Sequence, residues 1–455
     1  MMKWPQLLNK ERIRPSTNPG DHRDEFERDY DRAIFSTPVK RLQDKAQVFP
    51  LEPHDAIRTR LTHSLEVSSV ARGLAIAVAK WLAAEEEIDP GVDRQIEAIA
   101  ATCGLIHDLG NPPFGHAGED SIREWFVKCF GVQKLRSVFA EKEQLVQDFL
   151  KFEGNAQTLR LVTKLQILAD YTGLNLTFAT LSASRKYTAQ SDESGGAENQ
   201  ATKKPGHFAS ENEIVERIQD ATGTGRSRHP LAYIAESADD IVYSVADIED
   251  AIKKGILSWR TVKEMLEVRA PDSLTDILNL KDRILQGKSD LDDDIHGSAF
   301  RTASIAFMVR AATEVFKHRY RTIMEGTYKG ELVSDDSNGS KDFIVALKQI
   351  GRQKVYCTPP TLKLELMGRR VITDLMTLFW EGAEALPIGS EPRTSDFPGR
   401  LGALLSRNYR NVFAQWSSQD KSLPETYYRL QLVTDYVCGM TDSFAKRLHA
   451  ELTNG

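Results

Sequence analysis

The chain has 455 residues, 41% hydrophobic and 27% charged, a balance typical of globular proteins that excludes a collagen-like, fibrous or wholly disordered chain. At roughly 100–200 residues per domain, the length allows two to four domains or one large domain with insertions. Lys+Arg 59 against Asp+Glu 65 gives a formal net charge of −6, so no overall basic field draws the molecule onto nucleic acid and only local basic patches stay open.

The N-terminal stretch MMKWPQLLNKERIRPSTNPGD has neither the apolar core of a signal peptide nor an Arg/Ser-rich transit pattern. No run of about 18 apolar residues stands out, so the expectation is a cytoplasmic protein with no membrane partner. Cys103, Cys129, Cys357 and Cys438 lack CxxC spacing and read as buried thiols of a reducing cytoplasm.

In chain order, apolar residues at helical spacing predict helices over 62–84, 94–107, 118–130, 155–170, 211–220, 231–253, 299–318, 361–383 and 425–449. In 94–107 the stripe is Ile96, Ile99, Ala100, Cys103 and Ile106, and it stops at Gly110, Pro112 and Pro113, which cannot continue a helical ladder. Strand signals are confined to Thr327–Val333 and Lys354–Cys357. The polar, Gly-rich stretch 190–206 holds no large apolar residue and is expected to be a mobile surface loop. Shorter polar breaks fall at 334–341 and 389–394, and no internal repeat is found. The expected fold is all-α, mainly helical, with a small β-hairpin element.

Chemistry concentrates early. Of ten histidines, His54, His63, His107 and His116 crowd one region, and His107 and Asp108 are adjacent at a predicted helix end. Imidazole nitrogen with carboxylate oxygen suits a divalent ion such as Mn, Fe, Co, Ni, Zn or Mg. His63 and Asp239 are candidates to complete the set. Asp239, Tyr243 and Asp247 recur every four residues and so share a helix stripe beside apolar neighbours. Asp239 and Asp240 also fit ordinary solvated helix charges, and a lone histidine is more often structural than a ligand.

Taken together these motifs resemble a known family. The order His63, His107-Asp108, Asp239 resembles the HD-domain metal-dependent phosphohydrolases. RTRLTHSLEV (58–67), HDLGNPPFGHAGE (107–119), FEGNAQ (152–157) and ESADDIVYSVADIED (236–250) look like bacterial deoxyguanosine triphosphate triphosphohydrolases. RLQDKAQVFP (41–50), KKPG (203–206) and DYVCGMTD (435–442) extend the resemblance over nearly the whole chain. It implies an N-terminal segment 1–50, an HD-domain catalytic core 51–260, and a C-terminal helical lobe 261–455 that completes the pocket and makes subunit contacts.

The resemblance further implies a divalent metal cofactor (Mn, Mg or another transition metal) held by His63, His107, Asp108 and Asp239, and a catalytic pair at His116 and Glu119. Asn155, Lys186, Lys204 and Tyr243 become phosphate-holding candidates, with Arg60 beside them offering a bidentate guanidinium. Gln47 and Asp247 would face sugar or base. The implied reaction is hydrolysis of dGTP, with other dNTPs as further substrates, to deoxynucleoside and inorganic triphosphate by water attack at the α-phosphorus. His116 would either protonate the leaving oxygen or position the water. The implied assembly is a homo-oligomer, a hexamer by resemblance, with single-stranded DNA as a further partner. The alternatives are an HD phosphohydrolase acting on another nucleotide, or a regulatory assembly on single-stranded nucleic acid with a structural metal.

Overall fold

Thr59 and Thr62 each accept a hydrogen bond from the other's backbone N–H, a capping box that starts helix α1 (Arg60–Ala84). Small and aliphatic residues follow, and Val67, Ala71, Leu74, Ala75 and Val78 are buried. The computed structural model describes residues 1–16, 22–51, 54–165, 172–196, 198–335, 337, 339–420 and 422–453. Helix α2 (Asp93–Ile106) packs along α1 at close range because Gly104 has no side chain: a Cβ there would lie 2.8 Å from the Ser68 Cα and N. Ser68 Oγ ties the pair by donating to the Ala101 carbonyl at 2.8 Å. By length and composition α1 could cross a membrane, the one such helix among the described residues. Here its apolar residues join a protein core instead.

Beyond α2 come α3 (Gly115–Cys129), α4 (Glu143–Leu150), α5 (Gly154–Arg160), α6 (Pro230–Lys253), α7 (Asp293–Met324), α8 (Lys341–Ile350), α9 (Pro359–Glu384), α10 (Glu425–Cys438) and α11 (Asp442–Thr453). Other helices connect them, and of the four cysteines expected to be buried Cys103 and Cys438 are, whereas Cys129 and Cys357 are exposed. One apolar cluster gathers α1, most of α2, α6, α7 and α8, and a second gathers α3, α4, α9, α10 and α11. The C-terminal end of α2 spans both: Cys103 belongs to the first, Leu105 and Ile106 to the second. His107 and Asp108 follow directly, so the site lies where the two cores meet. Apolar contacts cross position 260 in both clusters.

The predicted helices form, with corrections. The pattern read as one helix over 425–449 is two, α10 and α11, broken at Gly439, where a Cβ would meet Tyr409 Oη at 2.1 Å. The helix predicted over 155–170 is α5 followed by one π turn, Leu161–Leu165, and 166–170 lie outside the described residues. The expected β-hairpin is absent among the described residues, whose β pairing is limited to isolated bridges. Lys354 and Val355 instead complete a π turn, Gly351–Val355, continuing α8. Residues 327–333 are irregular, and Leu332 and Val333 add to the first apolar core rather than to a ladder. The loop 190–206 is closed by a bridge between Ala189 and Pro205. Lys151 Nζ donates to the Ser191 and Ser194 carbonyls at 2.9 and 2.8 Å. Residue 197 within the loop, and 336 and 338 within the polar break 334–341, lie outside the described residues.

Candidate active site

Three elements deliver the HD residues to one point: α1 carries His63, the end of α2 carries His107 and Asp108, and α6 carries Asp239. The imidazoles of His63 and His107 meet edge to face with centroids 5.4 Å apart. His63 Nε2 lies 3.2 Å and His107 Nε2 3.5 Å from Asp239 Oδ1, and His107 Nε2 lies 3.5 Å from Asp108 Oδ2. The candidate ligand atoms of His63, His107 and Asp108 all fall within 4.8 Å of one another.

The hydrogen bonds test whether this cluster fits a cation. His107 Nδ1 donates to the Gly104 carbonyl at 2.7 Å, which leaves Nε2 as the lone-pair nitrogen of the neutral ring. That nitrogen is buried without a hydrogen-bond partner and faces two carboxylates. Burial pushes the His107 pKa down, but the charges of Asp108 and Asp239 outweigh it and raise it to about 9. Burial raises Asp108, yet the Arg60 guanidinium and His107 hold it at about 2. Asp239 is likewise held well below the ordinary carboxylate range by His107 and His63 against its burial. Two imidazole nitrogens and two carboxylates converging on one point are a donor set that fits a divalent cation.

Around this cluster opens a cavity of about 480 Å³, lined by all the predicted site residues except His63, which is fully buried behind it. Phe114, at φ 62°, turns the chain into α3 and places His116 at the cavity mouth, where it stays solvent-accessible. Partial enclosure, with the cations of Arg60 and Lys204, lowers its pKa. Glu119, one turn on, is buried, and its Oε1 accepts from the Gly154 N–H at 2.8 Å. Burial and the neighbouring Glu153 raise Glu119 to about 7. Among the described residues no hydrogen bond joins Glu119 to His116.

The remaining candidates line the walls. Arg60 is buried and paired with Asp108. Asn155 Nδ2 donates to Glu153 Oε1 at 2.8 Å, Lys204 Nζ lies 2.8 Å from Glu153 Oε2, and Lys186 Nζ lies 3.7 Å from Glu236 Oε1. On α6, Tyr243 and Asp247 face Tyr356, whose Oη donates to Asp247 Oδ2 at 2.5 Å. Burial raises the Asp247 pKa to about 8, against the hydrogen bond from Tyr356 that lowers it. Two buried acceptors in this wall, Gln47 Oε1 and Asp247 Oδ1, have no protein partner.

Some neighbours in sequence separate in space. Asp240 pairs with Lys348 at 3.1 Å, whereas Asp239 faces the histidines. His54 accepts from the Ala56 N–H at 3.3 Å in an exposed turn outside the cavity. Sequence reasoning passed over Glu153, Glu236, Tyr356 and Glu365, all of which line the cavity. Glu153 stood inside FEGNAQ and Glu236 inside ESADD, and an acid within a motif was the available signal.

A family model described as HD domain matches residues 60–169. The chain is 36% identical over 476 residues to the deoxyguanosinetriphosphate triphosphohydrolase-like protein of Listeria innocua serovar 6a, covering 99% of each. It is 33% identical over 490 residues to the deoxyguanosinetriphosphate triphosphohydrolase of Yersinia enterocolitica serotype O:8, covering 95% of each. This chain belongs to the deoxyguanosinetriphosphate triphosphohydrolase family. It is therefore an enzyme with an HD phosphohydrolase core, a metal-dependent class, and the His/Asp cluster is its candidate metal site.

Proposed function

We propose that this enzyme hydrolyses dGTP, and other dNTPs, to deoxynucleoside and inorganic triphosphate in the cytoplasm. The observation that carries the reading is one cavity joining the His/Asp cluster, the ion-paired cations Arg60, Lys186 and Lys204, and the orphan oxygens of Gln47 and Asp247. His63, His107, Asp108 and Asp239 would hold the divalent ion, which when bound supplies Lewis-acid stabilisation of charge developing on the α-phosphate. Arg60, Lys186, Lys204, Asn155 and Tyr243 hold the phosphates from side chains, since the sequence has no GxxxxGK[ST] loop. Gln47 and Asp247 face the sugar, where the 3′-hydroxyl of a deoxyribose would donate to an unpartnered oxygen and a ribose 2′-hydroxyl would be excluded.

Water adds to the α-phosphorus, the bond to the 5′-oxygen breaks, the phosphate chain leaves intact, and the nucleoside oxygen takes a proton. His116 stands at the mouth as the proton carrier. Its lowered pKa makes it neutral and proton-accepting in the free enzyme, while a bound polyanion raises its proton affinity. Phosphorus NMR of purified protein with dGTP and Mn tests the reading. Inorganic triphosphate beside deoxyguanosine is expected; orthophosphate or pyrophosphate in its place would overturn it.

A further inference from the structure

Lys204 does not stand free for a phosphate: its ammonium is 2.8 Å from Glu153 Oε2, and the other oxygen of that carboxylate accepts from Asn155 Nδ2 at 2.8 Å. Glu153 is only 2% exposed and lies at the turn before α5. The next residue, Gly154, donates its N–H to Glu119 at 2.8 Å. Room for that bond depends on glycine, since a Cβ at 154 would lie 2.1 Å from Asn111 Oδ1 and 2.7 Å from Glu119 Oε1. One short turn thus fixes two side chains proposed to hold phosphate and Glu119, the acid of the catalytic pair that the family resemblance implies. A buried carboxylate at the wall of a polyanion pocket opposes the substrate's charge and is costly without a cation, so its presence needs a function.

Resting on the function proposed above, we infer that Glu153 is a positioning residue for the reaction. Its carboxylate is the rest position of Lys204 and Asn155, and the anion against which the neighbouring Glu119 carboxyl is held. When phosphate takes Lys204, Glu153 is left ready to recapture it, which limits the grip on the triphosphate product. Glu119 is faced by Arg123 at 3.5 Å on its own helix, by Glu153 from the turn, by Lys204 from the loop and by the Cys438 thiol of α10. Burial and Glu153 raise its pKa, while Lys204 and Arg123 lower it. Removing the Glu153 charge therefore lowers the Glu119 pKa, and removing the Lys204 charge raises it.

The test uses the full chain, Glu153→Gln and Lys204→Met, with two readouts. Calorimetry with inorganic triphosphate and Mn measures grip without turnover: Glu153→Gln is expected to bind several-fold tighter and Lys204→Met weaker. The acid limb of the kcat/KM profile on dGTP should move to lower pH by about one unit in Glu153→Gln and upward in Lys204→Met. In Glu153→Gln kcat and KM should fall together, a pattern that simple loss of structure does not produce. Glu153→Asp, which restores the charge, should keep the wild-type limb, and serves alone if the glutamine variant does not fold. Unchanged triphosphate affinity and limb in Glu153→Gln, or limbs moving in one direction in both variants, would overturn the inference. Wild-type protein that binds triphosphate yet releases none from dGTP would overturn the functional reading instead, with Glu153 then judged on affinity.

Discussion

His107 Nδ1 gives its proton to the Gly104 carbonyl, so the nitrogen facing Asp108 and Asp239 can bind a proton or a cation but cannot be left with neither without cost. Asp239 is the carboxylate both histidines approach, at 3.2 and 3.5 Å. Asp239→Ala should therefore lose metal, read by elemental analysis after gel filtration, with dNTP hydrolysis falling at least about 100-fold. His116→Ala should keep its metal and lose only proton transfer, a drop of about 10²–10⁴ in kcat. Metal retained in the first variant, or lost in the second, would break the division between holding the ion and moving the proton. Lowering pH should also release the metal from the native enzyme, read by elemental analysis after gel filtration, because ligation requires a neutral His107 and protons compete for its Nε2.

At the scale of elements, the site exists because α1 and α2 run close enough for His63 to meet His107. Gly104 sets that separation: a Cβ at 104 would sit 2.8 Å from Ser68 Cα and N, which are backbone and cannot rotate away. Gly104→Val should push the helices apart, costing about 1–3 kcal/mol or more in urea denaturation and weakening metal binding at a residue that touches no metal. A fully stable variant that retained its metal would show that α1 and α2 are not so constrained. Most helices were legible because apolar periodicity is local in sequence, and the approach of His63 to His107 was expected from the resemblance to the HD family. The errors were local too. Lys354–Cys357 has strand-like composition, yet Tyr356 is used to hold Asp247 of α6, a pairing across 109 positions that no window of sequence displays. Glu153 and Glu236 escaped for the same reason: each is defined by a lysine brought to it from another segment.

At the scale of the molecule, a buried cation ties α10 to α5, beside the apolar contacts of the second core. Arg160, at the end of α5, places its Nη2 2.7 Å from Asp435 Oδ2 on α10 and its Nη1 3.0 Å from Glu211 Oε1. Gln157, one turn earlier, donates to Asp435 Oδ1 at 2.8 Å. All four residues are nearly inaccessible to solvent. Arg160→Ala would leave Asp435 buried without its cation and Glu211 with only Lys164, at 3.5 Å. Removing one partner of a buried pair costs about 3–5 kcal/mol, a large part of the ~5–15 kcal/mol that holds a typical domain folded. Arg260, which pairs with Glu264 at 3.0 Å on an open helix face, supplies the contrast: its loss should leave stability unchanged, because water screens the pair already. Urea denaturation of the two variants side by side makes the comparison. Because α5 continues from the turn holding Glu153 and Asn155, the Arg160→Ala protein should also bind inorganic triphosphate more weakly at temperatures where it is still folded. Equal stability in the two alanine variants would mean that α10 is held to the core by its apolar contacts alone.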